Sequence, residues 1–295
     1  MRIVVAGASG LVGSALAPRL AAAGHDVVSL TRPAGWDPER GTIDRRMLEG
    51  ADVVVNLAGE NVFGRWTAAK KRRIRQSRVR GTQLLSDAIA GLARRPAALF
   101  AASAIGYYGN RGDEELTEAS AAGTDFLAEV SRDWEAATEP AARAGVRVVP
   151  LRFGVVLSPA GGALGKMLPP FRLGLGGPVG GGKQYVSWIA MDDLLEIFAY
   201  LLATPSLAGP VNCTAPQPVT NREFAAALGH VLGRPAVVPV PAFALRMAFG
   251  AEGAEMLTGG QRVLPERLLR SGFRFRHPEI EPALRALLAA PDGGS

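Results

Sequence analysis

Short apolar runs alternate with longer segments of helical spacing over the first half of the chain. Residues 2–6 are an Ile/Val run short enough for a buried strand. Residues 14–23 are rich in Ala and Leu at helical spacing and stop at Gly24, where a left-handed residue closes a helix. Residues 27–30 are a second apolar run, so the chain opens as strand, turn, helix, strand. A Pro/Gly/Trp loop follows, then a short segment at 43–48. Residues 52–57, 98–102 and 146–151 read as three further strands, with helices at 66–90 and 125–144 and a polar loop at 110–124. Such alternation requires a parallel sheet with helices on both faces. The fold class expected is α/β, a doubly wound parallel sheet.

The pattern changes after residue 157. Residues 158–182 are rich in Gly and Pro, including GLGGPVGGG at 174–182, yet Phe171, Leu173 and Leu175 interleave them. That mixture predicts a loop covering a substrate rather than a disordered linker. Residues 186–204 carry Trp188 and then Asp192-Asp193 at the start of a helix, where acidic side chains complement the dipole. A short strand is expected at 209–214, an amphipathic helix at 221–232 capped by Thr220, and helical structure from 239 to about 290. The terminal PDGGS should fray.

The turn between the first strand and helix holds Gly7, Gly10 and Gly13. One glycine permits a tight reversal, one lets backbone approach a pyrophosphate, and one lets helix pack on strand. The amides of Ser9, Gly10, Leu11, Val12 and Gly13 would then face a diphosphate at the helix N-terminus. Placed between strand and helix, this spacing points to a dinucleotide. Thr31-Arg32 ends the second strand, with no carboxylate before Asp37. A guanidinium there pairs with a 2′-phosphate, so NADP(H) is expected over NAD(H). The third strand runs into Leu57-Ala58-Gly59-Glu60, which would lie beside the same cofactor.

Composition narrows the alternatives. The 295 residues carry a net charge of +6, but only four lysines; the basic balance is arginine. The densest charge run, KKRRIRQSRVR at 70–80, lacks interleaved aromatics for stacking bases. It reads as a solvated helix face, and no nucleic-acid partner is expected. Cys213 is the one cysteine, and His25, His230 and His277 are scattered, so no metal site is expected. No apolar stretch is long enough to span a bilayer, and residue 2 leads straight into a strand rather than a leader peptide. A cytoplasmic protein without a membrane partner is expected, acting on a small molecule.

Several stretches resemble the extended short-chain dehydrogenase/reductase superfamily: GASGLVG at 7–13, NLAG at 56–59, a strand ending in Ser103, and SWIAMDDL at 187–194. NLAGEN at 56–61, GYYG at 106–109, RFGVVLSP at 152–159 and PFRLGLGGPVG at 170–180 are similar to its atypical nucleoside-diphosphate-sugar epimerase-like branch. GQRVLP at 260–265 and GFRF at 272–275 look like the small C-terminal domain of that branch. The resemblance implies a Rossmann domain over 1–157 plus 186–214. A smaller, mainly C-terminal substrate domain would take 158–185 plus 215–295, of which 239–290 is peculiar to the branch. Relatives are often dimers through helices matching 66–90 and 125–144; monomer and homodimer both stay open.

The superfamily's chemistry uses a Tyr and a Lys four residues apart on one helix, with a Ser that orients the substrate oxygen. Here Tyr107, Tyr108, Tyr185 and Tyr200 are followed four residues on by Arg111, Gly112, Ile189 and Thr204. Counting from Ser103, Phe126 and Val130 fall near the expected places. Arg78 stands three residues before Gly81-Thr82, where relatives often carry Asn. In one reading Tyr107 or Tyr108 is the acid/base, Ser103 orients the oxygen and Arg78 stabilises an oxyanion. That would be an NADP(H)-dependent oxidoreductase or epimerase-like enzyme acting on a hydroxyl or carbonyl compound. In the other, the chain binds NADP(H) as a sensor or interaction protein with little turnover. Gln184, Tyr185 and Trp188 are candidate substrate residues, with ordinary packing the alternative. Arg152 is placed to reach a cofactor phosphate or a neighbouring carboxylate.

Overall fold

The computed structural model describes residues 1–289; the terminal PDGGS lies outside the described residues. Eight strands and eleven helices place the site: β1 (Arg2–Ala6), β2 (Asp26–Leu30), β3 (Val53–Asn56), β4 (Ala98–Ala104), β5 (Arg147–Phe153), β6 (Val155–Ser158), β7 (Trp188–Ala190), β8 (Val211–Cys213); α1 (Leu11–Ala22), α2 (Ala68–Ala90), α3 (Phe126–Ala136), α4 (Glu139–Arg143), α5 (Gly162–Arg172), α6 (Met191–Ala203), α7 (Asn221–Leu232), α8 (Ala242–Phe249), α9 (Ala251–Thr258), α10 (Glu266–Arg270) and α11 (Ile280–Ala289). Six strands form one parallel sheet in the order β8-β5-β4-β3-β1-β2. From β1 the chain moves outward to β2, then crosses back to β3. The strand order therefore reverses between β1 and β3, and their carboxyl ends flank the crevice where such sheets bind ligands.

Side-chain alternation along the strands sorts the core into two layers. Ile3, Val5, Val53, Val55 and Phe100 face α1 and α6, meeting Leu16, Leu194 and Phe198. Val4, Ala6, Val54, Leu99 and Ala101 face α2, meeting Leu85, Ala88 and Ile89. A third cluster joins Leu164, Leu168 and Phe171 of α5 to Phe224 and Leu228 of α7 and Leu284 of α11. The C-terminal part straddles the cores, since Leu268 and Phe273 pack with the sheet.

Two segments differ from their sequence reading. The expected helix at 125–144 is two helices. The Thr138 hydroxyl donates to Glu135 O at 2.6 Å, and Pro140 opens α4 without an N–H to continue the ladder. The glycine-rich stretch contains α5, whose Leu164, Leu168 and Phe171 form a buried stripe despite Pro169 and Pro170. Burial of that stripe outweighs a composition that reads locally as loop. After β5 the chain steps out of the sheet at Gly154, where a Cβ would lie 2.6 Å from Ser187 O. Strands β6 and β7 then form a separate two-stranded parallel sheet.

Candidate nucleotide-binding cleft

The three glycines of the first turn do three different jobs. Gly7 has φ +81°, and a Cβ on it would meet the Leu57 carbonyl carbon and the Ala58 nitrogen at 2.8 Å. It lets the turn lie against the end of β3. At Gly13 a Cβ would lie 2.2 Å from Gly7 O, so this glycine seats α1 on the turn. Gly10 caps α1 in an extended conformation. A Cβ there would touch only Gly7 O, at 3.4 Å, which leaves the approach to the helix N-terminus open. Helix N-termini left open in this way are anion sites, which makes the turn the candidate cradle for a diphosphate.

Beside it, at the ends of β2 and β3, lies a cleft of about 110 Å³ lined by Arg32, Gly59, Glu60, Arg73, Ser77 and Arg80, among others. Three arginines line it. Glu60 offsets them in part, paired to Lys70 at 2.8 Å and Arg73 at 3.6 Å. Its hydrogen bond from Lys70 holds its carboxyl below the usual range. Arg73 and Arg80 are seven apart on α2, hence on one face; that spacing inside the charge run was the available signal for them. The rest of the run is dispersed: Lys71 pairs with Glu252 and Arg75 with Asp133. Arg78 turns inward, donating to Glu60 O at 3.0 Å and Ile74 O at 3.3 Å over the Trp134 ring. Burial lowers its pKa to about 10. These contacts tie Arg78 to the loop after β3, not to Ser103 or the tyrosines.

A larger apolar hollow of about 350 Å³ lies between α1 and α6, lined by Met1, Leu20 and His25. It sits at the amino ends of β1 and β2, so size alone does not locate the ligand crevice.

At the carboxyl ends of β4 and β5, in a sequence that lacks the superfamily's Tyr–Lys pair, lies a buried polar chain. Ser103, 2% exposed, donates to Glu135 Oε1 at 2.6 Å. Arg152 grips both oxygens of Glu135 at 2.8 Å and donates to the Tyr108 hydroxyl at 2.9 Å. Tyr108 donates in turn to Asn212 Oδ1 at 2.7 Å. Burial works against the Arg152 charge, but the Glu135 carboxylate outweighs it and raises the guanidinium's pKa. Tyr108 is fully buried, and burial pushes its phenol up to about 12 despite the neighbouring Arg152. Tyr107 is part-exposed, its ring 3.5 Å from the Arg152 guanidinium. Glu135 and Asn212 had no sequence signal beyond the rule that a buried arginine needs a partner.

Phe126 packs edge-on against Trp66 at 5.7 Å, with the Lys71 ammonium 4.5 Å above its ring, and Val130 is buried. Among the substrate candidates, Gln184 donates to Val179 O and Leu257 O. Tyr185 pairs with Thr220 in a small sheet, under Arg262. Trp188 is wholly buried in the third core, its indole donating to Gln217 O at 3.1 Å. Trp188 is therefore a core residue with no surface to offer a ligand. Asp193 is also buried, accepting the Arg276 and His277 amides at 2.7 and 2.9 Å, so it anchors the tail as well as opening α6. Among the described residues no cluster of His, Cys, Asp and Glu could hold a metal.

A parallel sheet with a glycine cradle at its switch point defines a Rossmann-type α/β protein. The chain belongs to the NAD dependent epimerase/dehydratase family, whose model matches residues 3–213; a domain of unknown function, DUF1731, matches residues 240–287. It is 47% identical to an epimerase family protein of Mycobacterium bovis over 290 residues, covering 96% of each chain. It is 40% identical to the human epimerase family protein SDR39U1, covering 98% of this chain and all of that one. The crystal structure of that human protein (isoform 2) with NADPH superposes with a TM-score of 0.89 at 38% identity, over 97% of this chain and 99% of the other. A nucleoside-diphosphate sugar epimerase from Corynebacterium glutamicum superposes with a TM-score of 0.78 at 38% identity, over 97% of this chain and 58% of that one.

Proposed function

We propose that this chain binds NADP(H) in the crevice between β1 and β3 and acts as an oxidoreductase or epimerase-like enzyme on a small hydroxyl or carbonyl compound. The observation that carries the reading is the convergence of Arg32, Arg73 and Arg80 on the cleft beside Gly59. The amides of Ser9 and of Leu11 to Gly13 would receive the diphosphate, that of Gly10 being donated to Gly7 O at 3.1 Å, with Leu57 to Glu60 beside the ribose. Guanidiniums favour a phosphorylated ribose, because each pairs with the extra phosphate and a bare 2′-hydroxyl offers no such charge. The NADPH bound by the human relative supports the same preference. The cofactor supplies hydride exchange when bound. Tyr107 is the phenol with access to solvent and the one assigned to move the substrate's proton, over the fixed charge of Arg152. Ser103 spends its proton on Glu135 and so offers a substrate only lone pairs. Calorimetric titration with NADPH and NADH tests the binding: NADPH should bind at least tenfold tighter, and equal affinities would refute the arginine assignment.

A second reading is favoured by the absence of the Tyr–Lys pair. Tyr108 is buried and held neutral, and Phe126 and Val130 occupy the places near which a tyrosine and a lysine are expected. A sensor of the NADP(H) pool would look like this. Turnover separates the readings: NADPH oxidation with any member of a carbonyl panel, abolished by Tyr107→Phe, supports the enzyme. Binding with no turnover supports the sensor.

A further inference from the structure

Six strongly exposed large apolar side chains fall on two neighbouring segments and the helix that follows. Leu173 (74% exposed) and Leu175 lie after α5; Val237 (76%) and Val238 lie after α7; Phe243 (68%) and Met247 (74%) lie on α8. The two segments run side by side, tied by Val238 N to Gly176 O at 3.1 Å, Val240 N to Pro178 O at 2.9 Å and Gly180 N to Val240 O at 2.9 Å. On α8, Phe243 and Met247 are four residues apart and share one face, while Leu245 is buried on the other.

The charged side chains on these two segments and on α8 itself have one sign. Arg172, Arg234 and Arg246 are exposed among them. No Asp or Glu occurs at 140–191 or at 224–251. The carboxylates that bracket the second segment are engaged: Glu223 closes the capping box of α7, and Glu252 pairs with Lys71. A second copy of this chain would bring like charges together on the same face, which disfavours self-association. The apolar groups stand on turns and one helix face, and the two hollows described above are lined by other residues. Apolar tips interspersed along the chain with exposed arginines match a deformable anionic surface, with the tips entering the headgroup layer and the guanidiniums meeting lipid phosphates.

We propose that this face is a peripheral docking surface for an anionic lipid bilayer. No spanning segment is needed for such attachment, and among the described residues no helix is long and apolar enough to span. The proposal is independent of the cofactor assignment. Its test is co-sedimentation of the full chain with vesicles of phosphatidylcholine alone and of phosphatidylcholine mixed with phosphatidylglycerol. The expected result is pelleting with the mixed vesicles only, weakened severalfold at about 1 M salt, where charges are screened beyond about 3 Å. Phe243→Asp/Met247→Asp should lower the bound fraction at least tenfold. Arg234→Glu/Arg246→Glu should do the same without removing an apolar group. Both variants should melt like the parent, since all four side chains are exposed. Failure to pellet with the mixed vesicles, or pelleting unchanged in both variants, overturns the proposal. A concentration-dependent dimer in ultracentrifugation that Phe243→Asp/Met247→Asp dissolves would assign the face to a second copy, and overturns it equally.

Discussion

Arg152 shows how one buried charge organises a neighbourhood. Its guanidinium satisfies Glu135 and Tyr108 and supports the Tyr107 ring. Removing one partner strands the other. Glu135→Gln leaves Arg152 without its counter-charge and should cost about 3–5 kcal/mol, read as a lower urea midpoint. Tyr108 gives a pH signature. Its folded pKa, about 12, lies above the ordinary 10.0, so folding favours the neutral phenol. The associated stability is fully present below about pH 10 and is lost as pH rises from 10 towards 12, with a loss of about 2 kcal/mol. Tyr108→Phe should flatten that alkaline decline in denaturation curves, while losing about 1–3 kcal/mol at neutral pH from Arg152 Nη1 and Asn212 Oδ1, which lose their shared partner. At the proposed cofactor cleft, Arg32→Ala should weaken NADPH by about 1.5–3 kcal/mol, roughly ten- to a hundredfold, and leave NADH nearly unchanged. Paired titrations read the difference.

Among elements, the β1–α1 turn was the most legible, because glycine spacing reports backbone geometry directly. The structure separates glycines that the motif treats alike. Gly13→Ala drives a methyl against Gly7 O and should destabilise the fold by more than about 2 kcal/mol. Gly10→Ala fits its own φ of −77° and should leave the melting curve within about 1 kcal/mol of the parent, yet weaken NADPH about tenfold or more by filling the cradle. Melting and calorimetry on the two variants check the division. The less legible elements were those where local and tertiary preferences conflict. Nothing local in 158–182 announces α5, whose buried stripe acquires meaning only against α7 and α11. The break between α3 and α4 turns on Thr138, whose carbonyl accepts from Ser86 on α2 at 3.0 Å.

For the whole molecule, the crevice joins elements from distant parts of the sequence: the α1 turn, the ends of β2 and β3, and one face of α2. A ligand that contacts all of them stabilises the folded state by mass action. NADPH at a hundred times its dissociation constant should add about 2.7 kcal/mol of stability, seen as a higher melting temperature. NADH at the same concentration should add less. Absence of any shift with either nucleotide would leave the cradle without its ligand.

The sequence by itself determined the alternating α/β architecture, the cradle and the arginine at the tip of β2. Each depends on local features: period-two and helical spacing, glycine torsions, and one residue following a strand. Tertiary structure alone decided that Arg73 and Arg80 join Arg32, that Tyr108 is buried and Tyr107 is not, and that Trp188 belongs to the core. It also turned Ser103 and Arg152 towards Glu135. These outcomes depend on which side chains meet across separate elements, and on how much water each keeps after they meet. Such distances and degrees of burial are properties of packing, and no window of residues along the chain contains them.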